Sequence, residues 1–411
     1  MTVAENKLAL HTGFYKVGGK IFVDKIQAIL EANKNKEDVS WDYHDDIYSK
    51  VDWLTEPPLP LTEYYRLRAL QIREAYDYVI IMCSGGADST NVLWSFLENN
   101  IMVDEVIGSS PSDGIKQYDQ SSDNASKTNT VSETKFAQMP ILHEVVTRFP
   151  SIKITHHEYF EDMLEYETDE WLLKSSDFIH PTTVARYRLE KHKHLKELAQ
   201  AGKRIAIVYG IEKPSIITRD DGCVYSCIID RPANVPRPAF DLDYPNVDNV
   251  LFYYAYDFPE LQVKQSHVLT KWLYKPENVR AKAFMKHYPK DFGLSAKDRA
   301  YKNAYWDRAI IPCIYPDKVK KRFQAEKQLQ AHWAEHDQWF YDIYKDSMLM
   351  QQLVSDYKNF IKDIDKKYLM INRTDNEIYG FETFTKTYKI GTIKQFKESA
   401  IDTVIATNIT Y

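Results

Sequence analysis

Six unbroken apolar residues, Tyr78-Val79-Ile80-Ile81-Met82-Cys83, run into a serine and two glycines, and apolar positions then recur at helical spacing at Val92, Leu93, Phe96 and Leu97. A continuous apolar run of this length fits a strand covered on both faces. The glycines mark the turn out of it. Strand-like patterns follow over 102–107, 152–155 and 204–209, and helix-like ones over 141–148 and 182–201. Strands separated by helices predict an α/β fold with a parallel sheet and helices on both faces. The polar stretch 109–130 is long for a connection within a compact domain. Such a length fits a lid over a ligand as well as plain disorder.

The chain changes character on either side of this middle section. Before it, 14–23 reads as a short hairpin turning at Gly18-Gly19, Asp24 as the cap of a helix through Ile26, Ile29 and Leu30, and 62–75 as a second helix after the Pro-rich break 56–60. Beyond about Asn234 helical periodicity dominates, over 260–271, 316–345 and 347–367, before a strand-like tail over 368–390. The expected organisation is an N-terminal extension at 1–75, a nucleotide-binding domain at 76–233 and a mainly helical substrate or partner domain at 234–411.

Composition narrows the function classes. The net charge of −6 is spread with acids and bases interleaved, so no clear nucleic-acid surface is expected. The short basic clusters at 191–194 and 318–322 read as solvated helix faces. No apolar run approaches the roughly 20 residues that span a bilayer, and the first residues lack the profile of a secretory signal. Four cysteines in 411 residues are too few for a disulfide framework. These features together predict no membrane association and a cytoplasmic protein.

The turn Ser84-Gly85-Gly86-Ala87-Asp88-Ser89 carries the candidate chemistry. Glycines let the backbone fold tightly and bare its amides. A helix start adds unpaired N–H groups and the positive end of the macrodipole. With the hydroxyls of Ser84, Ser89 and Thr90, these groups form a nest suited to phosphate. Asp88 is the odd member, because a carboxylate repels phosphate. Mg²⁺ held between them resolves the conflict. The string is neither a G-x-x-x-x-G-K-[ST] loop nor G-x-G-x-x-G.

This string resembles the S-G-G-x-D-S signature of the PP-loop ATP pyrophosphatases, a superfamily that includes GMP, NAD, argininosuccinate and asparagine synthetases and phosphoadenosine phosphosulfate reductase. The resemblance covers about 76–230. It implies an adenine nucleotide alpha-hydrolase-like sheet, with ATP and Mg²⁺ at the turn. It also implies a reaction in which a substrate oxygen attacks the α-phosphate, pyrophosphate leaves, and a nitrogen or sulfur nucleophile displaces AMP. By position, Ser84, Gly85, Gly86, Ala87, Asp88, Ser89 and Thr90 hold phosphates and Asp88 the metal. Gly108 and Ser109 lie near the adenine, and Lys213, in Gly210-Ile211-Glu212-Lys213-Pro214, serves as a catalytic cation. The pattern G-I-E-K-P, then Y-x-x-I-I-D, with the segment 256–265, is similar to bacteriophage phosphoadenosine phosphosulfate reductase-like proteins. For a phage-encoded chain, the compartment implied is the host cytoplasm.

Departures from the superfamily bound the reading. The sulfate-reducing members use a cysteine in a C-terminal E-C-G-[LI]-H segment, and the last cysteine here is Cys313 in Ile311-Pro312-Cys313-Ile314. Cys223 and Cys227 are not spaced as C-x-x-C and read as buried strand thiols. The glutamine-hydrolysing cysteine of asparagine synthetases has no counterpart at Thr2. The expected partners are therefore a small-molecule substrate and a free or delivered ammonia or sulfur donor. A reductase-like protein without its cysteine, or a nucleotide-binding regulatory or assembly protein, are the alternatives. Asp220, Asp221 and Asp230 fit substrate or second-metal ligands, or a solvated acidic turn in the case of Asp220-Asp221. His156-His157 reads as a strand-end pair whose members face opposite ways. The aromatic series Trp333, Trp339, Phe340, Tyr341 and Tyr344 reads as helix packing or a partner surface.

Overall fold

The computed structural model describes residues 10–110, 134–159, 189–211, 213–230, 244–275, 359, 369–371, 378–381 and 383–399. The predicted helices over 316–345 and 347–367, with their aromatic series, and most of the 109–130 loop lie outside these residues, Asn359 excepted.

The N-terminal segment forms as its pattern implies. Strands β1 (Phe14–Val17) and β2 (Lys20–Phe22) pair antiparallel with Val17 opposite Lys20. Gly18 and Gly19 are left as a two-residue turn at φ +51° and +83°. Positive φ at both centres is what a hairpin turn matched to strand twist demands. Helix α1 (Lys25–Asn35) follows its cap Asp24, β3 (Ser40–Asp42) pairs with β1, and α2 (Asp45–Tyr48) and α3 (Leu61–Ala75) lead into the sheet.

The central sheet is built from β4 (Tyr78–Met82), β5 (Glu105–Ser110), β6 (Lys153–Glu158), β7 (Ile205–Tyr209) and β10 (Val247–Leu251), in the spatial order β10-β7-β4-β5-β6 and parallel at every pairing. Among the described residues, three α-helices are interspersed: α4 (Ala87–Leu97) after β4, α5 (Met139–Arg148) before β6 and α6 (Lys193–Gln200) before β7. The chain steps outward from β4 through β5 to β6, then returns to the other side of β4 for β7 and β10. The order therefore reverses at β4. Its residues Val79, Ile80 and Ile81 are fully buried, because helices cover both faces. Helix α4 is buried along Ser89 to Leu97, packed against both β4 and α3 with Trp94 and Phe96 inside.

The parallel sheet runs past the boundary expected at residue 233. Its fifth strand, β10, and the helix α7 (Pro259–Tyr274), which packs on α3, both come from the region expected to be a separate helical unit. The sequence pattern hides β10 because Val247-Asp248-Asn249-Val250-Leu251 places two polar residues at the centre of a short edge strand. Hairpin β8 (Ser215–Thr218) and β9 (Cys223–Cys227) pairs with the tail strand β13 (Tyr388–Thr392), so the described tail is tied to the middle section. Strands β11 (Leu369–Ile371) and β12 (Ile378–Phe381) form a separate antiparallel pair. Among the described residues, no helix is long and apolar enough to cross a membrane.

Candidate functional site

The glycine turn leaves the carboxyl end of β4 at the point where the strand order reverses. Cys83 still donates to the Ile107 carbonyl (2.9 Å), and the chain then breaks away from the sheet. Gly85 takes φ +82°, and Gly86 caps α4 with φ −67° and ψ 167°. Ser84 Oγ accepts the Gly86 amide (3.2 Å) and lies 3.2 Å from Ser89 Oγ, which donates to the Gly86 carbonyl (3.3 Å). These hydroxyls fasten the turn to itself. The first intrahelical bond of α4 runs from Thr90 N to Gly86 O (3.0 Å), so helical geometry gives the amides of Ala87, Asp88 and Ser89 no acceptor within the helix. The Thr90 hydroxyl is buried and has no hydrogen-bond partner among the described residues.

The end of β7 closes against this helix start. A Cβ on Gly210 would stand 2.8 Å from the Asp88 carbonyl carbon and oxygen and 2.9 Å from Ser89 N, so only glycine permits the approach. Three residues on, the Lys213 ammonium forms an ion pair with Asp88 Oδ1. Lys213 is 8% exposed and Asp88 33%. Residues that the sequence reading drew from two separate segments thus meet.

Residues that sequence reasoning missed hold the pair in place. The Lys213 ammonium lies 5.0 Å from the centre of the Tyr253 ring. Tyr253 OH donates to the Asp88 carbonyl (2.9 Å) and accepts from Asn91 Nδ2 (2.8 Å). Tyr254 OH donates to the Lys213 carbonyl (2.8 Å), and Gln265 Nε2 donates to the Tyr253 carbonyl (3.1 Å). Both tyrosines follow directly on β10. The aromatic run Phe252-Tyr253-Tyr254 after a short strand was the available signal.

At the end of β5, Gly108 and Ser109 face Gln138. The Gln138 Nε2 donates to Cys83 O (2.9 Å) and Ser109 O (3.3 Å), bridging the ends of β4 and β5. Its Oε1 is buried with no partner among the described residues. A Cβ on Gly108 would come 2.9 Å from the Gln138 carboxamide, and one on Gly85 would come 2.4 Å from Gln138 N. Residues 137–138 therefore cover the Gly85 side of the turn. The turn is open on its other side, where Ser84 is exposed and Gly86 and Asp88 are half-buried.

The remaining candidates resolve locally. Asp221 sits in the β8–β9 turn, where its carboxylate accepts the Cys223 amide (2.8 Å) and the Tyr225 hydroxyl (2.5 Å), and Asp220 is exposed beside it. Asp230 is fully buried and bonds Lys25 (3.0 Å), Tyr15 OH (2.9 Å) and Thr383 Oγ1 (2.6 Å), a structural tie between the N-terminal segment and the tail. Cys223 and Cys227 are buried on β9 and are not joined in a disulfide. His156 and His157 do face opposite ways: the first meets Ser110 Oγ, and the second is buried with Nδ1 3.1 Å from His192 Nε2. His194 reaches the buried Glu105 carboxylate (3.0 Å), which also accepts Tyr78 OH (2.9 Å). Burial, then the neighbouring His157 and His194, push His192 down to about 4. Among the described residues, no three His, Cys, Asp or Glu side chains are grouped to hold a metal.

No family model, curated protein or solved structure matches this chain.

Proposed function

We propose that the open side of the glycine turn binds the polyphosphate of ATP, and that the protein is an AMP-forming, ATP-dependent enzyme of the PP-loop ATP pyrophosphatase type. The observation that supports this most strongly is the meeting of Asp88 and Lys213 beside the Gly85-Gly86 turn, at the strand where the sheet order reverses. Open parallel sheets bind ligands outside the carboxyl ends of their strands at such a reversal. The amides of Ala87, Asp88 and Ser89 point from a helix start, where an anion is favoured.

The residues present fit Mg²⁺. Asp88 offers one partly exposed carboxylate, and Mg²⁺ commonly takes one or two carboxylates, substrate phosphates and water rather than a full protein cage. Asp88 would hold such an ion, which would supply positive charge to offset the negative charge of the phosphates. Lys213 supplies a fixed positive charge for the α-phosphate as negative charge develops on it. Tyr253 and Tyr254 hold that ammonium and its backbone in place. A substrate oxygen attacks the α-phosphate, pyrophosphate departs, and a nitrogen or sulfur nucleophile then displaces AMP from the adenylated substrate.

The test is pyrophosphate and AMP release from Mg·ATP, with and without a small-molecule extract. Release that depends on the extract supports the enzyme. Tight nucleotide binding without products in any extract replaces it with a nucleotide-binding regulatory protein. No binding of ATP or pyrophosphate removes both.

A further inference from the structure

We infer that Gln138 is a positioning residue for the glycine turn, its carboxamide holding the ends of β4 and β5 at the separation that aims the turn's amides at phosphate; this rests on the nucleotide reading above. Gln138 ends the π-helical turn Thr134–Gln138 that leads into α5, and it is 2% exposed. Wide turns of this kind occur mostly as single insertions in helices, frequently at functional sites. Gln138 enters where the two strands part. Cys83 still donates to Ile107 (2.9 Å), but at Ser84 its chain turns out of the sheet while β5 continues to Ser110. The carbonyls on the two sides of this fork, Cys83 O (2.9 Å) and Ser109 O (3.3 Å), both accept from the one nitrogen Nε2. An amide nitrogen has two hydrogens to give and an amide oxygen none, so the carboxamide can stand only one way round.

The same residue also seats the turn from the side. Gly85 sits at φ +82°, and where it would carry a Cβ, Gln138 N stands 2.4 Å away and the Ala137 carbonyl carbon 2.6 Å away. The carboxamide fills the corresponding place at Gly108, at 2.9 Å. Gln138 thus lies between one glycine at each strand end, packed against both. The amides of Ala87, Asp88 and Ser89 begin directly after Gly86, so a change in the width of the fork is passed on to them. Oε1 is buried with no partner among the described residues. A buried acceptor left unpaired costs stability, and replacing a polar group by an apolar one of the same shape removes that cost. Packing alone therefore favours an apolar side chain of this length. What such a side chain lacks is the Nε2 donor, and the donor is what the fork uses.

The experiment measures binding of inorganic pyrophosphate with Mg²⁺, by calorimetry on the full chain, at a temperature where circular dichroism shows each variant folded. Gln138→Met keeps the length of the side chain and removes the donor. It is expected to bind pyrophosphate about tenfold more weakly, the equivalent of one buried hydrogen bond. Val145→Ala, at a fully buried position further along α5, loosens the same helix and is expected to keep native affinity. Gln138→Glu gives a signature that a packing role does not produce. Ionised, its carboxylate faces two carbonyls; protonated, it donates to one of them. Burial beside two acceptors raises a carboxyl's pKa, so its binding deficit relative to the native protein is largest near pH 9 and shrinks towards about pH 6. Native affinity in Gln138→Met, an equal deficit in Val145→Ala, or a Gln138→Glu deficit that is absent or insensitive to pH each overturns the positioning role and leaves the site standing. Should Gln138→Met fail to fold, the pH response of Gln138→Glu decides alone. If the native protein binds neither pyrophosphate nor ATP with Mg²⁺, the nucleotide reading fails and the positioning role falls with it.

Discussion

Gly210 and Asp88 touch backbone to backbone: a single carbon added to Gly210 would lie 2.8 Å from the Asp88 carbonyl. The contact joins the end of β7 to the first turn of α4, and it brings Lys213 within reach of the Asp88 carboxylate. Gly210→Ala must therefore push strand and helix apart, since peptide atoms, unlike a flexible side chain, cannot swing aside. The expected cost is about 1–3 kcal/mol in urea unfolding, with weaker ATP binding. Native stability together with native affinity in this variant would mean that the contact does not set the site.

Tyr253→Phe tests the clamp behind that contact. The substitution keeps the ring beneath Lys213 and removes only the hydroxyl that bonds the Asp88 carbonyl and the Asn91 amide. Loss of a hydroxyl serving two buried groups costs about 1–3 kcal/mol. Because the cation still has its aromatic face, the pyrophosphate-release rate should fall less than in Lys213→Met. That charge removal is expected to lower turnover by roughly 100-fold or more. Comparable losses in the two variants would show that the hydroxyl matters as much as the ammonium and would overturn that ranking.

The sequence made β4, the glycine turn and α4 readable because their burial is written in local patterns: an unbroken apolar run, two glycines and then apolar residues at helical spacing. It made Asp88 and Lys213 readable as residue types, while their pairing depends on which strands neighbour β4. Tyr253 and Gln138 were not legible. Their roles depend on where β10 and β5 stop relative to β4, and no local pattern encodes that. Strand β10 itself escaped notice because an edge strand tolerates Asp248, half-exposed and bonded to Tyr76 OH (3.1 Å), at its centre. The reach of Asp230, three residues beyond β9, to Lys25 is non-local in the same sense.

That buried tie yields a stability prediction independent of function. Lys25 is 3% exposed and Asp230 fully buried, 3.0 Å apart, with the Tyr15 and Thr383 hydroxyls on the same carboxylate oxygen. Lys25→Met leaves the Asp230 charge buried without its cation, a change that costs about 3–5 kcal/mol. Adding Asp230→Asn removes the stranded charge and keeps an acceptor for both hydroxyls, so the double variant should recover more than half of the loss in urea unfolding. A double variant no more stable than Lys25→Met would show that packing around the lysine stem, rather than charge, carries the effect.

The histidine cluster at the β6 edge predicts how stability follows pH. Burial lowers the affinity of His192 for a proton, and His157 and His194 lower it further, against a smaller opposing pull from Glu105, so its pKa falls from 6.5 to about 4 on folding. Lys153 also opposes protonation. Between these two values the unfolded chain holds a proton on this ring that the folded chain lacks. Unfolding then takes up about one proton in that window, and linkage makes the contribution of His192 to stability complete above pH 6.5, declining as pH falls towards 4 and constant below it. Carboxylates titrate over the lower part of the same range, so the informative quantity is a difference. His192→Asn keeps a polar partner for His157 but cannot take up the proton in either state. Its melting temperature, recorded beside that of the native protein from pH 7.5 to 4, should fall less steeply, with the two curves converging as pH drops. Parallel curves across the window would mean that His192 titrates alike in both states and that its burial carries no pH dependence.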